Sequence, residues 1–118
     1  MDIESFRDYC LIKKGVTEEF PFDENTLVFK VMGKMFALTD IDLFESINLK
    51  CDPEEVLILR EKYPSVTPGY HMNKKHWNTI LPEDNVSDEL IKQWIDNSYK
   101  LVVKNLTNKD IELLNQLD

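Results

Sequence analysis

Cys51, His71 and His76 are the residues whose types could do chemistry, and Lys74 and Lys75 lie between the two histidines. A cysteine beside an imidazole is the minimum for a thiolate nucleophile, yet nothing in the sequence orients a Cys51/His71 or Cys51/His76 dyad. The same three residues would supply part of a zinc site, but no second Cys/His pair is there to complete one. There is also no Gly-rich phosphate loop, nucleophile elbow or HExxH motif, so the expectation is a non-enzyme with no catalytic residue, metal or cofactor. What remains is recognition. Lys74 and Lys75 suit phosphates, His71, Asn73, His76 and Asn78 suit hydrogen bonds, and Tyr70 and Trp77 suit base stacking. Lys34 and Lys50, from neighbouring strands, would widen that patch. Each has a plainer reading: lysines at a hairpin tip are commonly only solvated, and Trp77 beside Met72 and Leu81 suits a core.

All but three of these residues fall in residues 63–81, YPSVTPGYHMNKKHWNTIL, the one sizeable acid-free stretch of a chain with net charge −8. The ends are acidic: residues 1–26 hold seven acids against three bases, and residues 83–118 hold eight against four. That balance excludes a general nucleic-acid coat protein, whose affinity comes from many lysines and arginines on phosphates. Any anion-binding surface must be local and weak. A length of 118 residues, 42% of them hydrophobic and 31% charged, fits one domain spanning residues 1–118 with a single core. No apolar run approaches the ~20 residues of a membrane span, and nothing reads as a secretory leader. The expectation is a cytoplasmic protein with no membrane role, in which Cys10 and Cys51 stay reduced.

The elements that would position these residues follow from periodicity and punctuation. Asp2 precedes an amphipathic pattern over residues 3–14 that Gly15 stops. Residues 16–25, with Phe20, Pro21 and Phe22, read as turn. Residues 26–32 and 35–38 alternate as a hairpin about Gly33-Lys34, with Leu27, Phe29 and Val31 on one face. A third strand is expected at residues 46–50, with Ile47 and Leu49 inward. Asp52-Pro53-Glu54-Glu55 is a helix start with a capping acid and proline in the first turn, for a helix over residues 53–62. Residues 65–69 read as turn, and residues 70–72 and 76–81 as two strands with Lys74 and Lys75 at their tip. After Pro82 and a polar loop, Ser87 caps a long helix over residues 88–105. Thr107 starts a short helical extension over residues 107–118. The expected fold is α+β and two-layer: a mostly antiparallel sheet of about five strands with helices on one face.

Three segments, FPFDENTLVFKVMGKMFALTDID, INLKCDPE and YPSVTPGYHMNKKHWNTI, occur in an order that resembles the MmcQ/YjbR family of small bacterial proteins. The resemblance runs from about residue 20 to 103. It implies a CyaY/frataxin-like fold, described as a double wing, and carries a DNA-binding label that rests on fold comparison. By the same analogy Glu4, Asp8, Glu18 and Glu19 would bind iron weakly, although a solvated acidic face explains them equally well. The leading expectation is weak, salt-sensitive DNA binding through the second hairpin. The alternative is a module for a protein partner or a small anionic ligand.

Overall fold

The computed structural model describes residues 1–83 and 86–117, so part of the polar loop after Pro82 and the last residue of the C-terminal extension lie outside the described residues. Six strands form one sheet: β1 (Val16–Glu19), β2 (Thr26–Val31), β3 (Lys34–Asp40), β4 (Ile47–Lys50), β5 (Val66–Pro68) and β6 (Trp77–Ile80). Their order is β1-β2-β3-β4-β6-β5, and every neighbouring pair is antiparallel. Four helices accompany it: α1 (Ile3–Leu11), α2 (Pro53–Lys62), α3 (Asp88–Lys104) and α4 (Asn108–Asn115). The α+β, antiparallel, helices-on-one-face expectation holds. Among the described residues no helix is long and apolar enough to cross a membrane.

The helices begin where their caps dictate. Asp2 accepts from the Ser5 amide, Asp52 from Glu54, Ser87 from Leu90 and Thr107 from Asp110, each satisfying a first-turn N–H that has no helical partner. Pro53 starts α2 at no hydrogen-bond cost. The β2–β3 link is a two-residue turn at Met32 and Gly33, both with positive φ, so Lys34 belongs to β3 rather than to the turn. A bulge follows: register shifts after Phe29, and Phe36 and Ala37 both reach the helix side.

The main core lies between sheet and helices. Phe6 and Cys10 of α1, Leu27, Phe29, Val31, Ile47, Leu49 and Ile80 of the sheet, and Ile91, Ile95 and Val102 of α3 meet there. Ser98 ties α3 to the sheet, its hydroxyl donating to the Phe36 carbonyl and accepting from the Lys50 amide.

Three expectations need correction. β1 occupies residues read as turn; its carboxylates are paired, Glu18 with Arg7 at 2.7 Å and Glu19 with Lys30 at 2.5 Å, which helps offset the weaker strand propensity of the two glutamates. The strand expected at residues 70–72 is absent. Its place is taken by β5, an edge strand whose final Pro68 needs no ladder donor there. Residues 65–69, read as turn, hold that strand; on the sheet face away from the helices, Val28 packs with Leu38 and Trp77 in a second small core covered by Met35 and Met72.

The α2/α3 cleft as a candidate ligand site

The connection between β5 and β6 is a structured loop rather than the tip of a long hairpin. The Gly69 amide donates to the Trp77 carbonyl, Met72 N–H to Gly69, and both His76 and Trp77 N–H to the Asn73 carbonyl. His71 takes φ +58°, left-handed and costly for a residue with a Cβ. Arg60 of α2 clamps the loop from below: Nε donates to Asn78 Oδ1 at 2.7 Å, and Nη2 donates to the carbonyls of Lys74 and Trp77.

This loop scatters the residues that the sequence grouped. Trp77 is buried in the second core, so its ring is not offered for stacking. Asn78, one residue on, faces the helices with 2% exposure; its amide also donates to the Val56 carbonyl. Asn73 uses its side chain to accept from the Lys75 amide, and Lys74 Nζ donates to the Gly69 carbonyl. Lys75 and Lys34 are exposed. Strand register sets Lys34 at the start of β3 and Lys50 at the end of β4, opposite Trp77, so both share one sheet end with the 73–76 turn.

The two histidines part company. His71 borders a hollow of about 510 Å³ on the face away from the helices, beside Phe22, Leu43 and Tyr70 and the carboxylates of Asp23, Asp40 and Glu45. That hollow repels anions. His76 instead borders a smaller hollow of about 310 Å³ with Lys50, Asp52, Lys104 and Asn105. Among the described residues, no three His, Cys, Asp or Glu side chains gather as a metal site, and the acids of the iron reading are divided, Glu18 and Glu19 being taken up in ion pairs.

The larger concavity is one the sequence reading did not name. A cleft of about 610 Å³ opens between α2 and α3 above β4, β6 and β5. Its α3 wall is a polar stripe of Gln93, Asn97, Lys100 and Lys104, spaced four, three and four apart as one helix face requires. Its α2 wall carries Glu55, Leu59 and Lys62 at the same kind of spacing, with Asp52 at the cap. Val66, Asn78 and Ile80 belong to its sheet side, and Tyr63 meets Trp94 edge to face at 5.1 Å. Lys50, Asp52, Leu101 and Lys104 also line the His76 hollow, which makes it an extension of the cleft. The signal that would have found this wall is the 93/97/100/104 stripe itself.

The cleft gathers charge, with Asp52 and Glu55 facing its lysines. Lys50, Lys62, Lys100 and Lys104 line it, and none forms an ion pair with any described residue. Elsewhere Lys13 is bound to Asp96 and Lys30 to Glu19, while Lys14, Lys34, Lys74, Lys75, Lys92 and Lys109 likewise form no ion pair with a described residue; what sets the cleft lysines apart is that they share one concavity. Cys51 also lines the cleft; burial first, then the nearby Glu55 and Asp52 carboxylates, push its thiol up to about 11. It is a neutral thiol at physiological pH. Cys10, buried in the main core, is raised further by burial.

Residues 11–101 match the YjbR family model. The chain belongs to the YjbR family. Its YjbR-family relatives include YbdF of Escherichia coli O157:H7, 42% identical over 92 residues, covering 77% of this chain and 75% of YbdF. YjbR of Escherichia coli K12 is 30% identical over 118 residues, covering 99% of this chain and 100% of YjbR. The crystal structure of Deinococcus radiodurans protein DR2400 superposes with TM-score 0.90 at 40% identity, covering 97% of this chain and 88% of that one. A Pseudomonas syringae crystal structure gives 0.72 at 31% identity, covering 86% of this chain and 98% of that one.

Proposed function

We propose that this YjbR-family chain is a non-catalytic binding module that takes an anionic ligand in the cleft between α2 and α3. The observation that carries the reading is that four lysines, without an ion pair among the described residues, outnumber the two carboxylates, Asp52 and Glu55, around one concavity in a chain of net charge −8. Fields focus in clefts, so a local cationic site persists on an acidic protein. The raised Cys51 thiol argues against nucleophilic catalysis; His71 lies at a separate hollow, while His76 is close in the chain's fold, its carbonyl accepting from the Cys51 amide at 2.8 Å.

A second reading keeps DNA as the ligand, at the sheet end that carries Lys34, Lys50, Lys74 and Lys75, and the CyaY-like double-wing description belongs with it. The shared sheet end favours it, whereas the internal use of Lys74 and Arg60 and the burial of Trp77 weaken it. Contact by about four lysines gives a log–log salt slope of roughly −3 to −4, so affinity would fall steeply between about 50 and 200 mM salt.

Titration with inorganic pyrophosphate and with labelled duplex at those two salt levels tests both. The cleft reading expects Lys100→Glu with Lys104→Glu to abolish pyrophosphate binding while Lys74→Glu with Lys75→Glu leaves it intact. Duplex binding lost only in the second pair supports the DNA reading, and absence of any binding at low salt sinks both.

A further inference from the structure

The cleft is not uniform along its length. Tyr63, after α2, meets Trp94 in the first half of α3, while Asp52, before α2, lies with Lys104 at the end of α3, so the two helices run in opposite directions along it. One end is therefore apolar and aromatic: Leu59, Tyr63 and Leu90 are half-buried there, over a buried floor of Val66, Ile80 and Trp94. The other gathers Lys50, Lys100 and Lys104 against Asp52 and Glu55, three cations facing two carboxylates. One net positive charge is left there. Asp52 is committed to the α2 cap, where its Oδ1 holds the Glu54 amide at 2.9 Å. Lys62 stands at the aromatic end with its ammonium over the Tyr63 ring at 5.4 Å, a cation–π contact that does not make that end an anion site.

Resting on the anionic-ligand reading above, we infer that the cleft selects an amphipathic monoanion: an aryl or alkyl carboxylate whose apolar body lies against the half-buried Leu59, Tyr63 and Leu90 and whose carboxylate reaches Lys100 and Lys104. A polyanion such as pyrophosphate should bind there more weakly than the matched monoanion, because Asp52 and Glu55 stand on the wall opposite the lysines. Tyr63 packs on α3 at the level of Trp94, and from there to Lys100 the helix rises ~9 Å, which sets the distance between body and head. A phenyl ring on a four-carbon acid has that reach. The cleft volume of about 610 Å³ is within the usual range for small-molecule sites and accommodates larger members of the class.

Calorimetric titration of the full chain with 4-phenylbutyrate, 4-phenylbutan-1-ol, acetate and pyrophosphate tests this. The expected result is saturable binding of phenylbutyrate, at least about tenfold weaker binding of the alcohol, and no saturable binding of acetate. Lys100→Gln with Lys104→Gln should weaken phenylbutyrate about tenfold and leave the alcohol unchanged, which also shows that the variant is folded. Equal affinity for acid and alcohol overturns the inference, since the head would then contribute nothing. If pyrophosphate binds while phenylbutyrate does not, the amphipathic inference falls and the anionic-ligand reading stands. If no anion binds, both fall.

Discussion

Arg60→Leu should destabilise the protein by about 2–3 kcal/mol, and the figure follows from what each acceptor loses. Arg60 serves three oxygens: Asn78 Oδ1, the Lys74 carbonyl and the Trp77 carbonyl. The Trp77 carbonyl keeps the Gly69 amide at 3.1 Å, and Lys74 belongs to an exposed turn where water replaces the guanidinium. Asn78 has no such recourse, because the residue is 2% exposed and its oxygen has no other donor among the described residues. An orphaned buried acceptor costs about 1–3 kcal/mol, and the hydrogen bond lost is a charge-assisted one. For a domain of this size that is a drop in melting temperature of roughly 8–12 °C. Thermal and urea unfolding, followed by tryptophan fluorescence, would measure it. Combining Arg60→Leu with Asn78→Leu removes the orphan and should recover about 1–2 kcal/mol of coupling energy. A single-variant shift below about 2 °C, or no coupling in the double variant, would refute the claim that Arg60 holds the loop through Asn78.

Three further outcomes follow from the same geometry. Ser98→Ala leaves the Phe36 carbonyl and the Lys50 amide short of a buried partner and should cost about 2–4 kcal/mol in urea unfolding, with the slope unchanged. Gly69→Ala would set a Cβ 2.8 Å from Trp77 Cβ and 2.9 Å from the Trp77 carbonyl oxygen, so about 1–3 kcal/mol should be lost, with faster amide exchange at the β5–β6 junction. Burial alone would raise the Asp96 pKa, but hydrogen bonds from Lys13 and Tyr9 outweigh it and hold the carboxyl below its ordinary 3.8. Because the folded value is the lower one, Asp96 contributes stability above about pH 4 and loses it as the pH falls through the folded pKa. Asp96→Asn should therefore be less stable than the native chain at pH 7, with the gap narrowing in acid melts.

How much was legible depended on whether the cause was local. Helix starts were, since Asp52-Pro53 and Ser87-Asp88-Glu89 satisfy first-turn amides within a few residues. The central hairpin and β4 were, because Leu27, Phe29, Val31, Ile47 and Leu49 alternate toward one core. The edge strands were not. Val-Thr-Glu-Glu becomes a strand only once Arg7 and Lys30 pair its acids, and Val-Thr-Pro only because an edge has no neighbour for the proline to deprive. The cleft was least legible of all. Its lysines come from β4, α2 and α3, and the 93/97/100/104 stripe reads as an ordinary solvated face until α2 is known to lie across from it.

The acid-free stretch that drew attention in the sequence has a structural role that its composition does not suggest. Alternation along β6 sends Trp77 and Thr79 to one side of the sheet and Asn78 and Ile80 to the other, and the Gly69 and Asn73 turns send His71 and His76 after them to separate hollows. The two hollows differ in charge: carboxylates of Asp23, Asp40 and Glu45 border the first, and Lys50 and Lys104 border the second. A single ligand cannot use both histidines, and an anion can use only the side of His76. The stretch also acts as scaffold. It closes the second core with Trp77 and Met72 and supplies Asn78 as the anchor for Arg60 of α2.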